Sequence, residues 1–189
     1  MGGADKAFLT LGGETLLART IARAEPQIGE LLINANGDLA RYGGFGWPVI
    51  ADRIGGFLGP LAGILSGFEW MRAHRPEAQW LASFACDCPF FPLDLVARLI
   101  AQAESETASV AVAASGGGHH PVFAVWRADL AVTSESVLRD QALRKMDDFV
   151  ALFASTRVEF KADPIDPFFN INTPDDLARA EEMLTSEAR

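Results

Sequence analysis

The chain is predicted to fold as an α/β protein, a mostly parallel sheet covered by helices on both faces. Short apolar runs alternate along it with amphipathic stretches of about ten to fifteen residues, the mark of repeated strand-helix-strand units. Its residues are 49% hydrophobic and 22% charged, enough apolar material for a sizeable core. Its 189 residues fit a single domain spanning 1–189, with no repeat, low-complexity tract or linker composition to divide it.

The elements follow in order. Leu16, Leu17, Ile21 and Ala24 recur at helical spacing, and Pro26 stops that helix. ELLINAN (30–36) reads as a short buried strand ending in the polar Asn34 and Asn36, and WPVIAD (47–52) as a second ending in Asp52. GPLAGILSGFEWMRAH (59–74) opens with Gly59-Pro60, a helix start with proline near the first turn. WLASFACDCP (80–89) is a nearly apolar strand carrying Asp87, and PLDLVARLIAQA (92–103) the next helix. SVAVAAS (109–115) and HPVFAVW (120–126) are strands joined by GGGHH (116–120), a connection too short for a helical crossover. The second of them is therefore expected to run antiparallel. Helical patterns cover about 128–138 and 141–154, followed by the amphipathic strand TRVEFK (156–161). The last helix begins at TPDDLARAEEML, with Thr173 as N-cap, Pro174 in the first turn and Asp176 completing a capping box.

The formal net charge is −9 and the pI about 4.8, with no basic cluster, so nucleic acid is not an expected partner. No apolar run approaches the length that spans a bilayer and no signal-peptide pattern opens the chain, so the expected compartment is the cytosol, without a membrane partner. Cys86 and Cys88 are the only cysteines; two residues apart, they read as buried free thiols, since a bridge between them would close a tiny strained loop.

In open α/β sheets ligands bind beyond the carboxyl ends of the strands, which draws attention to Asn34, Asn36, Asp52 and Asp87. A carboxylate ending an apolar strand needs a partner. For Asp87 that is a hydrated Mg²⁺ shared with substrate phosphates, its alternative being an N-cap for the helix after Pro92. Gly2, Gly3 and Lys6 suit a triphosphate site: glycines let backbone N–H groups approach phosphate, and lysine brings a mobile charge. The helix start at GPLAG favours an anion. His119 and His120 lack further ligands at metal spacing, so a contact from His120 to a bound molecule is the better reading; His74 caps its helix. No G-x-S-x-G segment argues for covalent catalysis.

In succession, MGGADK, INAN, IADR…GFLGPLAG, CDCPF, HHPVFAVW and FFNINTPDDLARAE resemble the pattern of molybdenum cofactor guanylyltransferases over essentially the whole chain. The resemblance implies a Rossmann-like, three-layer nucleotidyltransferase fold. It also implies transfer of GMP from GTP to molybdopterin, with release of pyrophosphate and Mg²⁺ as cofactor. Residue by residue, it implies Gly2, Gly3 and Lys6 on the triphosphate, Asn34 and Asp52 in the guanine nucleotide pocket, and Asp87 on Mg²⁺ and the nucleotide. Lys6 and Asp87 would be the catalytic pair, and His120, Asn170 and Asn172 would lie towards molybdopterin. Molybdoenzymes or other proteins of cofactor biosynthesis are the further partners it suggests. Members of the family begin with an apolar strand ending in L-A-G-G, then S/T-x-R-M-G-G. This sequence starts at that methionine. Met1 is accordingly expected to be an internal methionine of a longer protein. Without the central strand, the strands near 31–34 and 81–85 should be separated by a gap or pair directly, and the chain should bind GTP weakly. Within the class, a molybdopterin cytidylyltransferase or a sugar-phosphate nucleotidyltransferase is the alternative. Outside it, the alternative is a non-catalytic cofactor carrier.

Overall fold

The computed structural model describes residues 6–52, 59–141, 145–163 and 165–187. A turn of 3-10 helix, Lys6–Phe8, leads into a hairpin of β1 (Thr10–Leu11) and β2 (Glu14–Thr15). Gly12 and Gly13 both have positive φ, 58° and 84°, which is what a two-residue turn matching the strand twist requires. Helix α1 (Leu16–Ala24) follows, its N-terminus capped by the Thr15 hydroxyl, which accepts from Ala18 N. The strands β3 (Ile33–Asn34) and β4 (Val49–Ile50) pair in parallel, and α2 (Pro60–His74) comes after them.

The largest sheet contains β5 (Trp80–Ser83), β6 (Val110–Ser115), β7 (Gly118–Arg127) and β8 (Ser155–Phe160), in the order β5-β7-β6-β8. β6 and β8 pair in parallel, and β7 runs antiparallel to both its neighbours, so β5, β6 and β8 point the same way. Helices α3 (Leu95–Ser105), α4 (Leu130–Gln141), α5 (Met146–Val150) and α6 (Pro174–Glu187) complete the chain.

Alternation along the strands sorts the core into two faces. Ala111 and Ala113 of β6, with Phe123, Val125, Val158 and Phe160, pack with α1 and α3 through Leu17, Leu95 and Leu99. Val110 and Val112, with Ala124 and Trp126, pack on the other side with Leu61, Leu65 and Phe68 of α2, Leu130 of α4 and Phe149 of α5. These are the three layers the sequence predicts. A smaller cluster of Leu11, Leu16, Phe90, Ile171 and Ala180 seats α6 against the hairpin.

The strand boundaries depart from the sequence expectation, and the pairing explains why. β5, expected over 80–89, stops at Ser83, opposite Ala124. There β7 leaves the ladder: the register jumps from Val112↔Ala124 to Ala113↔His120, around Pro121, which has no N–H to donate. β3 and β4 shrink from seven- and six-residue runs (30–36 and 47–52) to two residues each, because among the described residues they pair only with each other. The described strands thus form separate sheets, with β3 and β5 unpaired to one another. α2 spans both. A side chain at Gly63 would collide with Asn34 of β3, and one turn later a Cβ at Gly67 would stand 3.3 Å from Leu81 of β5.

Of the helix expected over 141–154, the described residues show Gln141 as the end of α4 and a separate helix over Met146–Val150. The expected turn between β6 and β7 lies at Gly116 and Gly117, with φ of 55° and 81°, so His119 and His120 already belong to the strand. The capping box of α6 forms reciprocally. Asp176 N donates to Thr173 Oγ1 at 3.1 Å, and Thr173 N to Asp176 Oδ2 at 2.9 Å. Hydrogen bonding from the Thr173 side chain, and then from the Asn172 and Thr173 N–H groups, holds the Asp176 carboxyl below the usual carboxylate range. Thr173→Ala is expected to cost about 1 kcal/mol and lower the Tm by about 2–4 °C, measured by thermal unfolding.

Candidate functional site

Asn34, Asp52 and Asp87 stand at or just beyond the carboxyl ends of β3, β4 and β5. Asp87 follows β5 in a turn, and its main-chain oxygen accepts from Ile171 N at 2.8 Å, tying the 170–172 segment to it. Ile171 is fully buried, so Asn170 and Asn172 on either side of it emerge towards solvent. The Lys6 ammonium lies 3.1 Å from Asp87 Oδ2 and also donates to Asn172 Oδ1. Three distant stretches of sequence therefore meet at one charged group.

The segment behind Asp87 is held by α1 and the turn that follows it. Thr20 Oγ1 donates to Cys86 O, Arg23 Nε to Phe91 O at 2.7 Å, and Gln27 Nε2 to Pro92 O at 3.0 Å. Gln27 Oε1 in turn accepts from Val96 N in the first turn of α3. That cap comes from Gln27, and Asp94 occupies the N-cap position of α3, so Asp87 does not serve the helix and remains available to a ligand. The side chains of Lys6 and Asp87 are 34% and 21% exposed, open enough for an incoming molecule. Neither cysteine is in a disulfide, as expected, but only Cys88 is buried; Cys86 is half-buried. Burial, and then the adjacent Asp87 charge, pushes the Cys88 thiol far up, which disfavours the thiolate.

Asn34 and Asp52 stand at the ends of β3 and β4. Asn34 Nδ2 reaches Ile50 O at 3.5 Å, and its Oδ1 faces Gly63 of α2 so closely that a Cβ there would sit 2.7 Å away. Asp52 is clasped by Asn36, which the sequence marks as a strand-end residue but does not pair with Asp52. Asn36 Nδ2 donates to Asp52 Oδ2 at 2.7 Å, and Asp52 N donates to Asn36 Oδ1 at 3.1 Å. The period of two along β3, which puts Asn34 and Asn36 on one face, was the available signal.

His120 lies elsewhere on the same end of the sheet, because β7 is antiparallel and begins where β6 ends. Its Nε2 is 2.8 Å from Ser115 Oγ, which donates to Asp166 Oδ1 at 2.7 Å. Neither Ser115 nor Asp166 stands out in the sequence. His119 leaves on the opposite face and pairs with Asp147 at 2.7 Å, so the two histidines do not converge. Gly2 and Gly3 lie outside the described residues. No described group of three or more His, Cys, Asp or Glu is arranged to hold a metal by itself, and no described helix is long and apolar enough to cross a membrane.

Such a site, with a cation, a carboxylate and amides at strand ends, is suited to binding a phosphorylated molecule and offsetting its charge. Residues 1–155 match the family model described as the MobA-like NTP transferase domain. The chain is 49% identical over 189 residues to the molybdenum cofactor guanylyltransferase of Rhodopseudomonas palustris (strain BisB5), covering all of this chain and 90% of that protein. It is 47% identical to the protein of the same name from Bradyrhizobium sp. (strain ORS 278), covering 100% and 89%. Among solved structures it is similar to molybdopterin-guanine dinucleotide biosynthesis protein A from Archaeoglobus fulgidus, with a TM-score of 0.74 and 21% identity over 97% of this chain and 92% of that one. The 2-C-methyl-D-erythritol 4-phosphate cytidylyltransferase of Thermus thermophilus superposes with a TM-score of 0.71 at 22% identity, covering 95% and 94%. These two likenesses bear on the fold, a Rossmann-like nucleotidyltransferase architecture.

Proposed function

The chain belongs to the MobA-like NTP transferase family, and on that basis we propose that it transfers GMP from GTP to molybdopterin and releases pyrophosphate. The observation that carries the reading is the meeting of Lys6, Asp87 and Asn172, whose partners stand 81 and 166 residues from Lys6 in sequence. In the reaction a phosphate oxygen of molybdopterin forms a bond to the α-phosphorus of GTP as the bond from that phosphorus to the pyrophosphate oxygen breaks. No protein nucleophile is required. The chain must align two anionic substrates and offset the charge that grows on the leaving group.

Lys6 supplies a mobile ammonium for the triphosphate. Asn34 and Asp52, at the ends of β3 and β4, line the nucleotide side, with Gly2 and Gly3 assigned to the same triphosphate. His120 and Asn170 face the molybdopterin side together with Asn172, which also touches Lys6 and so sits at the junction of the two substrates. Asp87 would hold Mg²⁺. Its partly exposed carboxylate is a hard oxygen donor, and this ion takes one or two carboxylates with phosphate oxygens and water as its other ligands. When bound, the ion would neutralise phosphate charge and polarise the reacting phosphorus.

Incubation with molybdopterin, Mg²⁺ and each labelled nucleoside triphosphate in turn tests the reading. Label is expected to pass from GTP; transfer from CTP alone would sink the guanine assignment. The place of Asn34 is tested through Gly63→Ala. The added methyl displaces the Asn34 amide, the far end of an exposed side chain, at little cost to the fold. The KM for GTP should rise by about three- to tenfold with kcat nearly unchanged, the loss of about one hydrogen bond.

A further inference from the structure

We propose that Ser115 and Asp166 are positioning residues that hold His120 in the tautomer protonated at Nε2, so that its Nδ1 presents a lone pair to a hydrogen-bond donor on the second substrate. The assignment follows from counting protons. Asp166 Oδ1 accepts from Phe168 N at 2.9 Å and from Ser115 Oγ at 2.7 Å, and a carboxylate has no proton to give. The single hydroxyl proton of Ser115 is therefore committed to Asp166. Ser115 Oγ can then meet His120 Nε2, 2.8 Å away, only as an acceptor, which puts the ring proton on Nε2. The order is His–Ser–Asp, with serine in the middle. The imidazole donates to the hydroxyl instead of drawing its proton, so this is not a nucleophilic triad.

The surroundings hold that arrangement in place. Ser115 is 3% exposed at the end of β6, and Phe168, also buried, stacks beneath the imidazole at 4.5 Å and 26°. Phe168 is itself packed by Phe123 and Phe160. Burial, the largest influence on His120, pushes its pKa below the ordinary histidine value and favours the neutral ring. Among the described residues nothing bonds to Nδ1.

A neutral ring offering only a lone pair suits an N–H donor and not an anion. Resting on the proposed function, this assigns His120 to the amino or ring N–H groups of the pterin and leaves the pterin's phosphate to Asn170 and Asn172. The family resemblance gives His120 a side of the site, and the tautomer adds which chemical group it receives.

The test uses the whole chain labelled with ¹⁵N-histidine, which has only three histidines to assign, His120 being identified by the signal lost in His120→Gln. Wild type should show His120 neutral, with Nε2 protonated and Nδ1 bare. Ser115→Ala should lose the fixed tautomer, and Ser115→Thr, which keeps the hydroxyl, should restore it. In turnover, Ser115→Ala should raise the KM for molybdopterin about tenfold while the KM for GTP stays within about twofold of wild type. A His120 signal protonated at Nδ1, or a tautomer unmoved by Ser115→Ala, would overturn the proposal, and so would an equal rise in both KM values. The spectra are recorded without substrate, so they decide the tautomer even if GMP transfer fails, and failure of transfer counts against the proposed function alone.

Discussion

Asp87→Asn is expected to lower GMP transfer by at least about a hundredfold while leaving the fold intact. Asparagine keeps the shape of the side chain, and the main-chain oxygen of residue 87 still receives the Ile171 N–H, so the turn after β5 stays tied to the 170–172 segment. What disappears is the negative charge that a hard cation requires. The lost ion pair with Lys6 matters little to stability, since both groups are partly exposed and such pairs contribute about 0–1 kcal/mol. Steady-state kinetics and a melting curve on the same preparation check both halves. Near-normal transfer by a folded variant would mean that another carboxylate carries the metal.

Lys6→Ala should reduce kcat/KM for GTP by about a hundredfold, the scale seen when one preorganised donor to a transition state is removed. Lys6 lies in a 3-10 turn of which only Ala7 is buried, so truncating it leaves the core untouched. The variant also frees Asp87 and Asn172 from their shared ammonium. If Lys6 acts on charge developing in the reaction, kcat should fall with kcat/KM. A rise in KM alone would reduce Lys6 to a residue that holds GTP equally before and during the reaction. Lys6→Arg should recover part of the activity, because the charge remains while its geometry changes.

The separation of β3 from β5 bears on how the site is assembled. The residues at the end of β3 and those beyond β5 belong to different hydrogen-bonded sheets, and α2 is the element packed on both. The glycines at 63 and 67, one turn apart, let α2 approach both strands closely.

The sequence by itself determined the layers, the starts of two helices and the end of the sheet where the candidate residues gather. Pro60 behind Gly59 and the Thr173-Pro174-Asp176 run act within one helical turn, so the signals that begin a helix lie beside it in the chain. The short G-G-G link likewise forced β7 to turn back on β6. The Gly12-Gly13 hairpin is equally local, a pair of glycines between runs too short for strand alternation to mark them. Only the tertiary structure decided strand length, because a strand persists only while its neighbour offers hydrogen bonds. β5 ends where Pro121 takes β7 out of register, far along the chain from Ser83, and nothing local in WLASFACDCP announces it. Tertiary structure also brought Lys6 to Asp87 and Asn172, and Asp166 to Ser115 and His120. Contacts of that kind depend on how α1, α6 and the sheet pack, and the energies that set packing are summed over many buried side chains that no single stretch of sequence contains.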